Sequence, residues 1–179
     1  MERQRNGYVG ASRTLQEITM RFLVYSRDLV EKGIVKDIQD CYPDAIVGVI
    51  SIAGTKPNCI SDDVVQVIHK EKNFFGICRM NFDDVDRDVD GTKGWIIEHG
   101  YSEITNEQAN NIVDFILAAK VKNVDIMIVH CEAGISRSSA TAAACSVILG
   151  QSDAEYFGNA RYNPNMKVYR SILNAYQGR

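Results

Sequence analysis

The stretch DIMIVHCEAGISRSSATAAACSVILG, residues 125–150, decides the fold. Its first six residues, Asp125 to His130, form a short apolar run typical of a strand buried on both faces. From about Arg137 to Leu149 the composition turns to alanine, which predicts a helix, and Gly150 is a good stop for it. Between strand and helix stand Cys131 and, six residues later, Arg137, separated by small residues and one glycine, Gly134. Such a loop can curl with its N–H groups pointing inward. The helix N-terminus adds its partial positive charge. Together they predict an anion cradle formed by Glu132, Ala133, Gly134, Ile135, Ser136 and Arg137, with a thiol at its floor.

That arrangement suits thiolate chemistry on a bound oxyanion. A positive field favours the thiolate over the neutral thiol, and a thiolate is a strong nucleophile. The guanidinium of Arg137 can grip two oxygens of a phosphate side by side, which the point charge of a lysine cannot do. Charge developing on a transferring phosphoryl group then meets donors that are already in place.

Outward from this segment, strands alternate with helices. Ile18 to Tyr25 reads as a first strand, and Ser26 as the cap of one helix running to about Asp40 with Leu29, Val30, Ile34 and Ile38 inward. Ala45 to Ile52 (AIVGVISI) reads as a buried strand. Ser61, followed by Asp62 and Asp63, starts a helix carrying Val64, Val65, Val67 and Ile68. Phe74 to Phe82 is a third strand. Thr105 and Gln108 form a capping box for a helix to about Lys120, with Ile112, Phe115, Ile116 and Ala119 as its apolar stripe. Ser152 and Glu155 form a second capping box, and a last helix begins near Asn165 with Val168, Ile172 and Leu173. The order predicts a single α/β domain over residues 1–179, with a central, mostly parallel sheet of four to five strands flanked by helices. Residues 1–15 are expected to be a loose arm. Ligands in such sheets bind at the carboxyl ends of the strands, where the loop after the fourth strand lies.

Composition narrows the function classes. With 20 basic and 23 acidic residues the formal charge is −3, which leaves no electrostatic footprint for nucleic acid and no polybasic membrane anchor. No apolar run is long enough to cross a bilayer, and the polar N-terminus lacks the apolar core of a signal peptide, so a cytoplasmic protein is expected. The five cysteines (Cys41, Cys59, Cys78, Cys131, Cys145) are odd in number and lack C-x-x-C spacing. Reduced thiols are expected, with no metal site and no cofactor. Cys145 lies on an apolar helix and reads as core, and Cys59 and Cys78 have no support as resolving thiols. His69 and His99 lack partners at ligand spacing and read as surface residues.

The pattern H-C-x-x-G-x-x-R-S, here HCEAGISRS from His130 to Ser138, resembles the signature loop of the protein tyrosine phosphatase superfamily, and most of all its dual-specificity branch. The resemblance implies that Cys131 forms a phosphocysteine intermediate and that Arg137 binds the phosphate. It implies that the Ser138 hydroxyl hydrogen-bonds the sulfur and helps it leave, and that His130 supports the loop. Downstream, Ala160-Arg161-Tyr162-Asn163-Pro164-Asn165 resembles the A-R-x-x-P-N segment of the same branch, with one extra residue before the Pro-Asn pair. In that family the asparagine braces the catalytic loop. Asn165 is therefore expected to be structural, and it also reads as a helix N-cap.

Such an enzyme needs a general acid for the leaving oxygen. Phe82-Asp83-Asp84-Val85 resembles the F-x-D-[I/V] element of bacterial and phage phosphatases of this type, which ranks Asp84 first, Asp83 second and Asp86 third. Asp84 lies 47 positions before Cys131, longer than is usual in the family. The excess, Asp88 to Ser102, could form a lid, and could bring Glu98 or Glu103 nearer the site than their positions in the sequence suggest. Trp95, Ile96 and Ile97 fit lid, core or partner site equally. The variable loop positions include Glu132 and no basic residue, which argues against inositol phospholipids. The expected substrate is a phosphorylated protein or peptide carrying phosphotyrosine, alone or together with phosphoserine/threonine. Two other classes fit the same loop: a sulfurtransferase or arsenate-reductase-like thiol enzyme, and a phospho-binding module without turnover.

Overall fold

The computed structural model describes residues 19–55, 73–86, 96 and 98–179. The helix expected after Ser61, the arm 1–15, and His69, Cys59 and Trp95 lie outside the described residues. Four strands form one sheet: β1 (Arg21–Ser26), β2 (Val47–Ala53), β3 (Phe74–Asn81) and β4 (Ile126–Cys131). Their order is β1-β4-β2-β3, and every pairing is parallel. The sequence pattern allowed a fifth strand and an antiparallel partner; among the described residues there is neither. Strands β2 and β4 are buried along their whole length, as continuous apolar runs require when both faces are covered.

The two faces carry different helices. On one, α1 (Arg27–Glu31) and α2 (Ile34–Cys41) set Val30, Val35 and Ile38 against Val47, Val49, Ile126 and Ile128. On the other lie α3 (Asn106–Val121), α4 (Arg137–Ile148), α5 (Ala154–Gly158) and α6 (Met166–Gln177). There Ile112, Ile116, Val168 and Ile172 pack with Ile50, Ile52, Met127 and Val129. Each such side chain contributes roughly 1.5–3 kcal/mol by leaving water. Helix α4 is buried nearly all round, and its alanines allow it to sit between the sheet and α6. Among the described residues, no helix is long and apolar enough to cross a membrane.

Three local expectations need correction. The single helix from Ser26 to Asp40 is two helices, because Gly33 adopts φ 97 and interrupts the ladder. Leu29, expected inward, is 39% exposed, and beyond the break Val35, unassigned by the pattern, is buried. Ser26 does cap α1, accepting from the Leu29 N–H at 3.4 Å. The Ser152–Glu155 capping box is not formed: Asp153 is the N-cap of α5, and the Ser152 hydroxyl oxygen accepts from the Ala154 N–H instead. The Asp153 carboxylate is engaged by the Tyr169 hydroxyl at 2.6 Å. By contrast the Thr105–Gln108 box is complete, and Gln108 also donates to the Asn81 carbonyl at the end of β3.

The neighbouring strands β1 and β4 end side by side, Ser26 opposite Cys131. From there β1 leads into α1 on one face and β4 into α4 on the other. Chains that diverge this way leave a crevice at the carboxyl edge of the sheet. The loop 131–137 lies there.

Candidate active site

Cys131 is the last residue of β4 and is buried, 2% exposed. Its Sγ lies 3.1 Å from the Ser138 Oγ, on the first turn of α4. The loop between them turns at Gly134, which has φ 71. A Cβ there would meet the Tyr25 carbonyl carbon at 2.5 Å and the Ser26 nitrogen at 2.6 Å. Glycine is thus required twice, for its backbone conformation and for its close approach to the end of β1.

The loop carbonyls are tied from outside. The Ile135 carbonyl accepts from the Asn163 N–H at 3.1 Å and from the Ser139 hydroxyl. The Ser136 carbonyl accepts from the Ser139 hydroxyl at 3.0 Å and from the Asn165 N–H at 3.4 Å. With carbonyls held on the outer side, the peptide N–H groups are biased to the inner side, as an anion cradle needs. Ser139 was not singled out by the sequence pattern. Its position, one turn into an otherwise apolar helix, is the signal that it bonds backward to the loop. Ser136 is the N-cap of α4 without capping it, since its hydroxyl donates to Asp84 Oδ1 at 2.7 Å.

Arg137 is 7% exposed. Its Nη1 donates to the Phe82 carbonyl at 2.8 Å, which fixes the guanidinium against the end of β3. Its Nε is buried without a hydrogen-bond partner. Such a donor costs about 1–3 kcal/mol unless something accepts from it.

The two leading aspartates have opposite surroundings. Asp83 is half-buried and accepts from the Thr55 N–H (3.1 Å), the Thr55 hydroxyl (2.9 Å) and the Ser102 N–H (2.8 Å). Burial alone would raise its pKa, but the hydrogen bonds from Ser102 and Thr55, aided by the Arg137 charge, hold it below the usual carboxylate range. It staples the chain after β2 and the return of the 88–102 segment to the end of β3. Asp84 is exposed, and its Oδ1 accepts from Ser136 and, at 2.9 Å, from the Asn165 Nδ2. Asn165 also caps α6 through its Oδ1, which accepts from the Val168 N–H at 3.0 Å. Asp86 is half-buried, Glu98 exposed and Glu103 buried. Residues 88–95 and 97 of the expected lid lie outside the described residues, and Ile96 is buried.

His130 is wholly buried, and neither ring nitrogen has a hydrogen bond of good geometry. Burial pushes its pKa down to about 4; the adjoining Cys131 backbone opposes that shift, and the Arg27 charge adds to it. The imidazole is neutral at pH 7 and acts as core. Burial pushes the thiols of Cys78, to about 11, and Cys145 upward. His99 is exposed.

No protein-family model matches the chain, and no curated protein matches it either. A solved structure, that of the human tyrosine phosphatase-like serine/threonine/tyrosine-interacting protein, superposes with a TM-score of 0.50 at 18% identity. The match covers 90% of this chain and 94% of that one. This chain has a tyrosine-phosphatase-like fold. Two structures of PTPMT1, one in complex with PI(5)P, are also similar, at 16% and 15% identity and TM-scores of 0.49 and 0.48. They cover 90% of this chain and 93% and 92% of their own. In this phosphatase-like fold, hydrogen bonds of Ser136 to Asp84 and of Arg137 to the Phe82 carbonyl join the 131–137 loop to the end of β3.

Proposed function

We propose that this chain is a cysteine-dependent phosphatase acting on phosphotyrosine in proteins or peptides, with phosphoserine/threonine as further substrates. The observation that carries the reading is the loop itself. A buried sulfur touches a serine hydroxyl, carbonyls are tied outward, and a buried arginine keeps an unpartnered Nε. A tetrahedral oxyanion supplies the acceptors that such donors lack.

In the proposed first step the Cys131 thiolate attacks phosphorus and the bond from phosphorus to the leaving oxygen breaks. Asp84 gives its proton to that oxygen. The loop amides and Arg137 stabilise the charge on the equatorial oxygens. In the second step water attacks the phosphocysteine, Asp84 takes its proton, and the sulfur leaves as thiolate while Ser138 donates to it. Asp84 is favoured over Asp83 because only Asp84 is exposed and bonded to the loop. Asp83 has its oxygens committed to Thr55 and Ser102.

The test is hydrolysis of p-nitrophenyl phosphate by the purified chain in EDTA, with vanadate as inhibitor. Turnover is expected without metal, and Cys131→Ser should abolish it while phosphopeptide binding persists. Equal rates for wild type and Cys131→Ser would remove the nucleophile. Binding of phosphopeptide without phosphate release would make the chain a binding module.

A further inference from the structure

Arg27 opens α1 at the carboxyl end of β1, and it is only 8% exposed. Buried arginines need a partner. Its Nη1 lies 3.1 Å from Glu132 Oε2, and its main-chain N–H donates to the Glu132 carbonyl at 3.2 Å. The other two guanidinium nitrogens, Nε and Nη2, are buried without hydrogen-bond partners. Among the described residues, the directed interactions of this cation therefore go to one residue, and that residue follows Cys131 in the loop.

Glu132 is anomalous where it stands. A carboxylate within a loop that collects oxyanions repels them. The Arg27 side chain is 9% exposed and the Glu132 side chain 59%, so the cation is the fixed member and the carboxylate is drawn to it. We infer that Arg27 is a positioning residue that neutralises Glu132 and pins the start of the loop to the end of β1, so that oxyanion affinity is set by a pair spanning two elements. The inference rests on the reading of the 131–137 loop as a phosphate site. The pairing also offsets the repulsion that Glu132, the one charged residue among the variable loop positions, would offer an anionic substrate. That charge is cancelled from a segment about a hundred residues upstream in the chain.

The test uses tungstate binding by titration calorimetry, at low salt, on the full chain and on Arg27→Met, Glu132→Gln and the double variant. Methionine keeps an apolar stem in the buried site. Arg27→Met should weaken tungstate binding about threefold or more, Glu132→Gln should tighten it, and the double variant should return to about the wild-type value. The differences should shrink in about 1 M salt, where the Debye length is about 3 Å. Urea midpoints measured alongside should fall more for Glu132→Gln, which leaves a buried cation unpaired, than for Arg27→Met. Where Glu132→Gln does not fold, the recovery of Arg27→Met binding on adding Glu132→Gln still decides. Weakening in both single variants with no recovery in the double overturns the inference. Wild-type tungstate binding that Arg27→Met leaves unchanged overturns it alone. A wild type that binds no tungstate overturns the phosphate site as well. A wild type that binds tungstate but hydrolyses no phosphate ester removes only the catalytic step.

Discussion

Asp83 accepts three hydrogen bonds from Thr55 and Ser102, whereas Asp84, the next residue, reaches across to Ser136 and Asn165. The two therefore predict different phenotypes. Asp84→Asn should lower kcat on phosphotyrosine by about 10²–10⁴ and affect p-nitrophenyl phosphate much less, since a good leaving group needs little protonation. Asp83→Asn should instead lower the urea midpoint. The Asp83 carboxyl is held below its usual range in the folded chain. Its contribution is present above the unfolded pKa and is lost as pH falls through the lower, folded one, so the Asp83→Asn defect should shrink in acid. Comparable leaving-group effects for the two variants would return Asp83 to contention. The sequence ranked these acids from F-D-D-V alone; what separates them is the set of donors around each, contributed by Thr55, Ser102, Ser136 and Asn165.

At the scale of elements, the loop between β4 and α4 depends on contacts from three other segments. Gly134 lies against Tyr25 and Ser26 of β1 with φ 71, so Gly134→Ala should cost more than about 1 kcal/mol and weaken tungstate binding together with it. A normal urea midpoint with normal binding would show that β1 can yield. Helix α6 begins at Asn165, whose side chain serves both as cap and as donor to Asp84. Asn165→Ser keeps a capping oxygen and Asn165→Ala does not, so only the alanine variant should lose about 1 kcal/mol of stability. Both should slow phosphotyrosine turnover if the tether to Asp84 matters, and equal rates to wild type would make Asn165 a cap alone. Helix α1 supplies the third contact through Arg27. The periodic pattern placed a continuous helix across this region. It missed the break because one glycine at φ 97 outweighs a run of favourable residues on either side.

For the whole molecule, the buried imidazole of His130 links stability to pH. Its folded pKa is about 4, against about 6.5 when unfolded, so the unfolded chain binds the extra proton between these values. Stability from this group is full above about pH 6.5 and falls as pH drops towards 4, by about 3 kcal/mol in all. Urea midpoints for wild type and His130→Asn across that range should converge in acid; parallel curves would mean that His130 is not the group responsible. The alternation of apolar strands with capped helices, the position of the loop at a strand end, and the Cys131, Gly134 and Arg137 spacing were all legible in the sequence. They are so because they depend on local periodicity and on chemistry contained within a dozen residues. Ser139 and Arg27 were not legible, nor was the unequal standing of Asp83 and Asp84. Ser139 acts by bonding back to a loop whose curl is invisible in one dimension. Arg27 meets Glu132 only because parallel strands β1 and β4 end in register, Ser26 beside Cys131. Sequence alone determined the strand–loop–helix order and the spacing of Cys131, Gly134 and Arg137 within it. Tertiary structure decided which charges surround them, because burial and hydrogen bonding between distant segments exist only once the sheet has formed.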